Sequence, residues 1–401
     1  MKKRTVILIL AVLGACACSR NTVLTPDLPE APIGFSWYAR RAVDTKANPA
    51  YFVGGTGASG AERRLNDGTS MGVFGYFHPQ ENGNPGTWKH GAGVYNTPNL
   101  FYNEPVSITQ DGDEYSYDYD NSRYWPKNGL DRISFIAYYP WNELNTTGTA
   151  SAGTIVEPFL DSRQEREGMV GFYYVVPQNS DDQVDFMVSD LCLEQSKVLW
   201  DQDPAQGLTG AGKVKFFFHH ALSQVRVKEV RLMAGGNPDI ELEINYILFK
   251  NVAVFGQCVP APDFANTDAS GRTPVTPAWP VGTLVPRRPD LSSGVTAGVC
   301  YDATLGTWDV NEFLLMIPHT FFEGATIEVN FNVRRKTDAE TGEYYTYENN
   351  TLAAPLATNI SGWEAGKIYT YVITLDLKQI KVDATVDDWF VAGEDVLMDQ
   401  S

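Results

Sequence analysis

Hydrophobic and polar positions along this chain alternate with a period of two over short runs, and clusters of Gly, Pro, Asn and Asp interrupt them. Ile133, Phe135, Ala137 and Tyr139 fall on one face of such a run, and so do Val214, Phe216 and Phe218. The pattern predicts strands over 33–38, 71–77, 132–139, 171–176 and 183–188 in the first half. In the second half it predicts 213–218, 224–232, 241–254, 313–317, 326–333, 344–347, 367–377 and 380–386. Long helical periodicity is absent, so the expected class is all-β with mainly antiparallel pairing. Aromatic residues make up 12% of the chain, which suits cores formed between sheets stacked about 10 Å apart. Residues 197–212, with Asp201-Gln202-Asp203-Pro204 and three glycines, lack any period and separate the two strand-rich halves. Residues 259–289 hold seven prolines and read as a long loop within the second half.

The N-terminus follows a different pattern. Lys2, Lys3 and Arg4 precede an apolar run over 6–13, and small residues lead into Cys16, which is the layout of a signal peptide. The run is too short to span a bilayer as a stable helix. Leu13-Gly14-Ala15-Cys16 resembles the bacterial lipobox, in which the cysteine thiol takes a diacylglycerol and becomes the new N-terminus. Ala15-Cys16-Ala17-Cys18 is a poorer register, because Leu is missing at the third position before the cysteine, and leaves Cys18 as the alternative lipidation site. The expected division is therefore a signal peptide over 1–15, a linker over 16–30, an N-terminal β-sandwich over 31–205 and a C-terminal one over 206–401.

Composition narrows the function classes. The formal charge is -18, and removal of Lys2, Lys3 and Arg4 leaves 28 basic residues against 49 acidic ones. Such a surface argues against nucleic acid and anionic lipid as partners. Of the five cysteines, Cys192, Cys258 and Cys300 lie in the strand-rich part. Their spacing fits no zinc template, and a Cys258–Cys300 bridge and buried free thiols both remain open. His219 and His220 read as a turn pair with no metal role, and His78, His90 and His319 are isolated.

Three segments of the first half are now recognisable in order. Met71-Gly72-Val73-Phe74-Gly75-Tyr76-Phe77, Ile133-Ser134-Phe135-Ile136-Ala137-Tyr138-Tyr139-Pro140 and Asp185-Phe186-Met187 resemble the first domain of fimbrillin-family pilins. Lys213-Val214-Lys215-Phe216-Phe217-Phe218-His219-His220-Ala221-Leu222-Ser223-Gln224-Val225 resembles that family's second-domain opening, a strand and a His-Ala-Leu turn into its hairpin partner. Trp363-Glu364-Ala365-Gly366-Lys367-Ile368-Tyr369-Thr370-Tyr371 is similar to its late strand entry, and Val386-Asp387-Asp388-Trp389 to its terminal strand.

The resemblance implies two tandem transthyretin-like β-sandwiches, export as an outer-membrane lipoprotein, and a place in the fimbrium at the cell surface. It also implies assembly with other pilin subunits by strand exchange. An Arg- or Lys-specific protease removes the first strand, and a strand of the neighbouring subunit fills the groove. An open groove leaves backbone N–H and C=O groups unpaired beside an apolar core, and a donor strand satisfies both. Here the first strand would be Ile33-Gly34-Phe35-Ser36-Trp37-Tyr38, with Ile33, Phe35 and Trp37 inward. Arg40 and Arg41 follow it as the expected cut, with Lys46 as a second candidate, and residues 380–397 would be the donor in a stalk subunit.

Enzyme motifs fail on inspection. Gly207-Leu208-Thr209-Gly210-Ala211-Gly212-Lys213 starts like a P-loop but runs into Val214 and a strand pattern. Gly55-Thr56-Gly57-Ala58-Ser59-Gly60 lacks a βαβ context. Asp111, Asp113, Glu114, Asp118 and Asp120 lack the EF-hand glycine and terminal Glu, and read as a solvated strand edge. The expectation is a chain with no catalytic residues, no cofactor and no metal. The alternative function is a surface lipoprotein that takes a glycan on exposed aromatics such as Trp88, Tyr124, Trp125 and Trp141, and for an adhesive subunit a host or bacterial surface ligand is a further expected partner.

Overall fold

The structure is a computed structural model of the chain and describes residues 30–38, 68–89, 96–111, 114–144, 156–160, 169–177, 183–197, 213–232, 240–286, 299–301, 313–336, 344–376 and 379–388. Strands dominate it, as the alternation requires. In the first half they are β1 (Gly34–Tyr38), β2 (Ser70–His78), β3 (Phe101–Asp111), β4 (Glu114–Asp118), β5 (Arg132–Tyr139), β6 (Val156–Leu160), β7 (Val170–Val175), β8 (Met187–Ser189) and β9 (Leu191–Gln195). There follow β10 (Lys213–His220), β11 (Ser223–Leu232), β12 (Ile240–Lys250), β13 (Phe255–Pro262), β14 (Arg272–Thr273), β15 (Val275–Ala278) and β16 (Val299–Tyr301). The last are β17 (Leu314–Met316), β18 (His319–Thr320), β19 (Thr326–Lys336), β20 (Tyr344–Pro355), β21 (Gly362–Trp363), β22 (Lys367–Asp376) and β23 (Gln379–Asp388).

The largest sheet runs β1-β10-β8-β5-β2-β3-β4, with β9 against β5 and β14 against β9. Its central strand β5 is buried on both faces. Ile133, Phe135, Ala137 and Tyr139 enter one core with Met71, Val73, Phe101, Val214 and Phe216, while Ile136 and Tyr138 enter a second. That second core continues without a break from Phe74 to Ala384, so both halves of the chain contribute to it. Two four-stranded sheets, β17-β11-β22-β23 and β16-β12-β19-β20, and the β18-β21 pair lie in the second half, and β15-β13-β7-β6 takes strands from both. Pairing is mostly antiparallel, but β1 with β10 and β11 with β22 are parallel.

Three expectations change. The run from Lys213 does not open a second sheet: β10 pairs with β1 and β8, whereas β11 pairs with β17 and β22. Ala221 and Leu222, both buried, therefore carry the chain from one sheet to another, and no hairpin forms there. His219 and His220 accordingly lie in β10 and not in a turn. The proline-rich stretch is not one long loop, because β13, β14 and β15 run through it. Its prolines are tolerated because Phe255–Cys258 of β13 pair with β7, while Pro260 and Pro262 pair only with β15 on the other side. Finally β12 stops at Lys250, and Asn251 just beyond it takes a positive φ of 53°.

Candidate functional site

The segment of most interest is the short strand β1, because the residues expected to be processed lie just beyond it. Its backbone is held from two sides by different kinds of pairing. Downstream, Gly34–Tyr38 run parallel to Lys213–Phe217 of β10 in unbroken register. Upstream, the irregular segment 119–125 acts as a strap. Ile33 N–H donates to the Arg123 carbonyl at 2.8 Å, and Trp125 N–H donates to the Ala31 carbonyl at 3.0 Å. Tyr119 Oη–H donates to the Ile33 carbonyl at 2.7 Å. The strap follows β4, so it bridges the gap between the two ends of the largest sheet.

Inside this closure sits Phe35, 1% exposed, beside Ile33, which is also 1% exposed. The Phe35 ring stacks on Phe216 with centroids 5.6 Å apart, and meets Phe101 at 5.3 Å, Tyr119 at 5.5 Å and Phe135 at 5.8 Å. One strand thus inserts a key aromatic into a cage made by β10, β3, β5 and the strap. Such edge-to-face and stacked contacts add about 0.5–1.5 kcal/mol per pair beyond area burial. A Cβ at Gly34 would lie 3.0 Å from Cγ of the exposed Lys213, a close approach that a small shift of that side chain relieves. The strap is itself pinned: Arg123 donates to Glu104 at 2.8 Å and places its guanidinium 4.6 Å from the Phe101 ring centroid.

Strand β10, the floor of this slot, is fixed on its outer face by a buried carboxylate. Asp190 accepts from Arg272 Nε at 2.5 Å and from the Val275 N–H at 3.0 Å, and lies 2.6 Å from His219 Nε2. Burial alone would raise the pKa of Asp190, but His219 and Arg272 outweigh it and hold the carboxyl below its ordinary range. The Arg272 guanidinium also lies 3.9 Å from the Phe217 ring centroid. Removing β1 would leave this floor in place and uncover Val214, Phe216 and Phe218.

Of the expected site residues, Cys16, Cys18, Arg40, Arg41 and Lys46 lie outside the described residues. Ile33 and Phe35 point inward as the alternation predicts, and Trp37 pairs through its backbone with Phe216. Residues 379–388, the first part of the expected donor, pair with β22 at ten positions as its closing strand. Cys192 and Cys258 are free buried thiols, so Cys258 makes no bridge; burial pushes both thiols up. The aromatics offered for a glycan do not form a platform. Trp88 and Trp125 are each 3% exposed, Trp141 is half-buried with Nε1 donating to the Asn103 carbonyl, and only Tyr124 is exposed. Among the described residues no group of three or more His, Cys, Asp or Glu side chains is placed to hold a metal ion.

The strap and the Asp190 hub are not visible in the pattern of the sequence. The strap acts through backbone atoms of a polar, aromatic segment, and Asp190 meets Arg272 from far along the chain. A lone Asp between two apolar strands was the one available signal.

No curated protein sequence matches the chain. In the fold, it is similar to a fimbrial protein from Bacteroides vulgatus ATCC 8482, with a TM-score of 0.55 at 18% identity over 90% of this chain and 99% of that one. A proposed cell adhesion protein from Bacteroides uniformis ATCC 8492 gives 0.40 at 15% identity over 81% and 93%. The tip fimbrial protein Mfa3 from Porphyromonas gingivalis, with C-terminal truncation, gives 0.34 at 11% identity over 81% and 95%. The last two are too distant in shape to bear on the fold. Residues 56–389 match the family model described as fimbrillin-like, and the chain belongs to that family.

Proposed function

We propose that this protein is a fimbrial subunit or fimbria-associated adhesin that assembles on the cell surface by exchange of its first strand. Residue Cys16, or alternatively Cys18, takes the lipid that anchors the precursor to the outer membrane. Cleavage at Arg40 or Arg41, or further on at Lys46, then severs β1 from the rest of the chain. The observation that carries this reading is the slot around Phe35: a five-residue strand, held by β10 and the strap, is followed in sequence at once by two arginines. Once cut, β1 is attached by contacts alone. Its loss uncovers an apolar row on β10 and a line of unpaired backbone groups, which a strand from another subunit satisfies together.

The test is made on protein recovered from cells. N-terminal sequencing and intact mass should give a chain that begins after Arg40, Arg41 or Lys46, and its multimers should resist SDS and dissociate on heating. Only full-length, acylated monomer in the surface fraction would overturn the exchange reading.

A further inference from the structure

Strand β23 ends its sheet, and among the described residues it pairs only with β22. Its other edge carries backbone groups that a further strand can use. Val382 and Ala384 place their carbonyls on that edge, where two side chains of the segment joining β20 to β21 cover them. Thr358 Oγ1 donates to the Val382 carbonyl at 3.2 Å, and Asn359 Nδ2 donates to the Ala384 carbonyl at 2.7 Å. Both covering residues are exposed, so burial does not hold them in place. The cover also stops short. Val386, next in the same row, is 45% exposed, and Thr385, Asp387 and Asp388 are exposed beside it.

The residues of this edge are complementary to themselves. When two copies of β23 run antiparallel about a two-fold axis at Ala384, Lys381 falls opposite Asp387, Val382 opposite Val386, and Asp383 opposite Thr385. Because Val382 and Ala384 turn their carbonyls outward, the Ala384–Ala384 and Val382–Val386 pairs are the ones that exchange hydrogen bonds. Val382 and Ala384 are buried on the core side, so each exposed Val386 gains apolar cover from Val382 of the second copy. On the outer face, Lys381 lies 3.1 Å from Asp383 in the single chain and also meets Asp387 of the second copy. A chain with a formal charge of -18 repels its own copies, and the two Lys381–Asp387 pairs offset that repulsion at this edge.

We propose that β23 is a latent docking edge for a second copy of this chain, and that Thr358 and Asn359 are the guard that keeps it closed. The guard occupies the carbonyls on which the second strand docks, so guard and partner exclude each other. Lifting segment 356–361 lets two four-stranded sheets join edge to edge. The contact is separate from the first strand and its slot, because β1 and β23 belong to different sheets.

The test uses the full chain with β1 uncut and with Cys16→Ser and Cys18→Ser, so that it carries no lipid, followed by sedimentation velocity. With the guard intact it should be a monomer at concentrations where the variant with Thr358→Ala and Asn359→Ala forms a dimer. The variant's association should be tighter by about tenfold or more, as the release of two hydrogen bonds implies. Adding Asp387→Lys sets Lys381 opposite a like charge and should return the variant to monomer. Adding Lys381→Asp as well restores an opposite pair and should restore the dimer, a reversal that a merely loosened fold does not give. A guardless variant that stays monomeric overturns the proposal. So does a dimer indifferent to both charge changes, or an intact guard with equally tight association. If the double variant does not fold by circular dichroism, Asn359→Ala alone, with Thr358 in place, is read against the same outcomes.

Discussion

Single residues fix how firmly the first strand is held. Phe35 fills a cage of four rings, so Phe35→Ala removes contacts that in a closed core are worth about 3–5 kcal/mol. Because β1 lies at the end of its sheet, the cost appears as local opening and is capped by the free energy of detaching that strand. The expected outcome is faster amide hydrogen exchange at β1 and along β10, with a small change in the global denaturant midpoint. Phe135→Ala, in the central strand β5, should lower that midpoint by an amount near the full core cost. Equal effects of the two variants on the midpoint would show that β1 does not open alone. A second residue sets a pH response. Burial, helped by the charge of Lys89, pushes the His78 imidazole down to about 4 from its ordinary 6.5. Between these values the unfolded chain binds more protons than the folded one, so stability is full above about pH 6.5 and falls as pH drops toward 4. The loss attributable to this one ring is about 3 kcal/mol. His319, lowered by burial against an opposing bond to the Ile317 carbonyl, acts in the same direction. Urea denaturation at pH 7 and pH 4.5 should therefore give a smaller difference for His78→Gln than for the wild-type chain. Identical differences would mean that His78 does not titrate on unfolding.

At the scale of elements, the strap decides how readily β1 exchanges. It grips through main-chain groups of residues 31–33, and Arg123 is its anchor through Glu104 and the Phe101 ring. Charge-assisted bonds of this kind contribute about 1.5–3 kcal/mol when partly buried. Arg123→Ala should thus speed peptide displacement of a severed β1 by roughly tenfold or more, whereas Arg334→Ala, which removes an exposed ion pair with Glu243, should leave the rate unchanged. Parallel acceleration by both would mark a general loss of stability in place of a grip. The strands that were legible in sequence share one property, an uninterrupted apolar row. The alternation over 132–139 marks both bounds of β5, and Ile33 with Phe35 reads as an inward pair. The ones that escaped carry interruptions that only their neighbours explain. In β3, Pro105 faces β2 alone because β4 starts its pairing at Ser107, and Asn103 takes a φ of 54°. In β6, an edge strand, Pro158 pairs with β7 only. A proline argues against a strand unless one side is free, and sequence does not reveal which side is free.

For the whole molecule, the same limit hid how the halves are joined. The aperiodic stretch 197–212 suggested two bodies divided near residue 205, yet β10 completes the sheet of the first half, and β13 and β14 pair with β7 and β9. The partner of a strand is set by tertiary packing and not by distance along the chain, so local pattern found the strands and missed their exchange. Gln183 ties the joint, accepting from the Leu315 N–H at 2.5 Å and donating to the Pro177 carbonyl at 3.2 Å, and Trp279 Nε1 donates to the Ala221 carbonyl at 2.8 Å. Expression of the two pieces on either side of residue 205 puts this to the test. The piece 31–205 lacks Val214, Phe216 and Phe218 from its core, and its sheet loses the strand that holds β1, so it should be unfolded or aggregated by circular dichroism and sedimentation. The piece 206–401 keeps its two four-stranded sheets but leaves β10 and β13 without β8 and β7, and should show a lowered, broadened melt. The intact chain should melt in one transition, because a single core runs from Phe74 to Ala384. Two independently folded, cooperative pieces would place the division near residue 205 after all, and would make the shared strands a contact between finished domains.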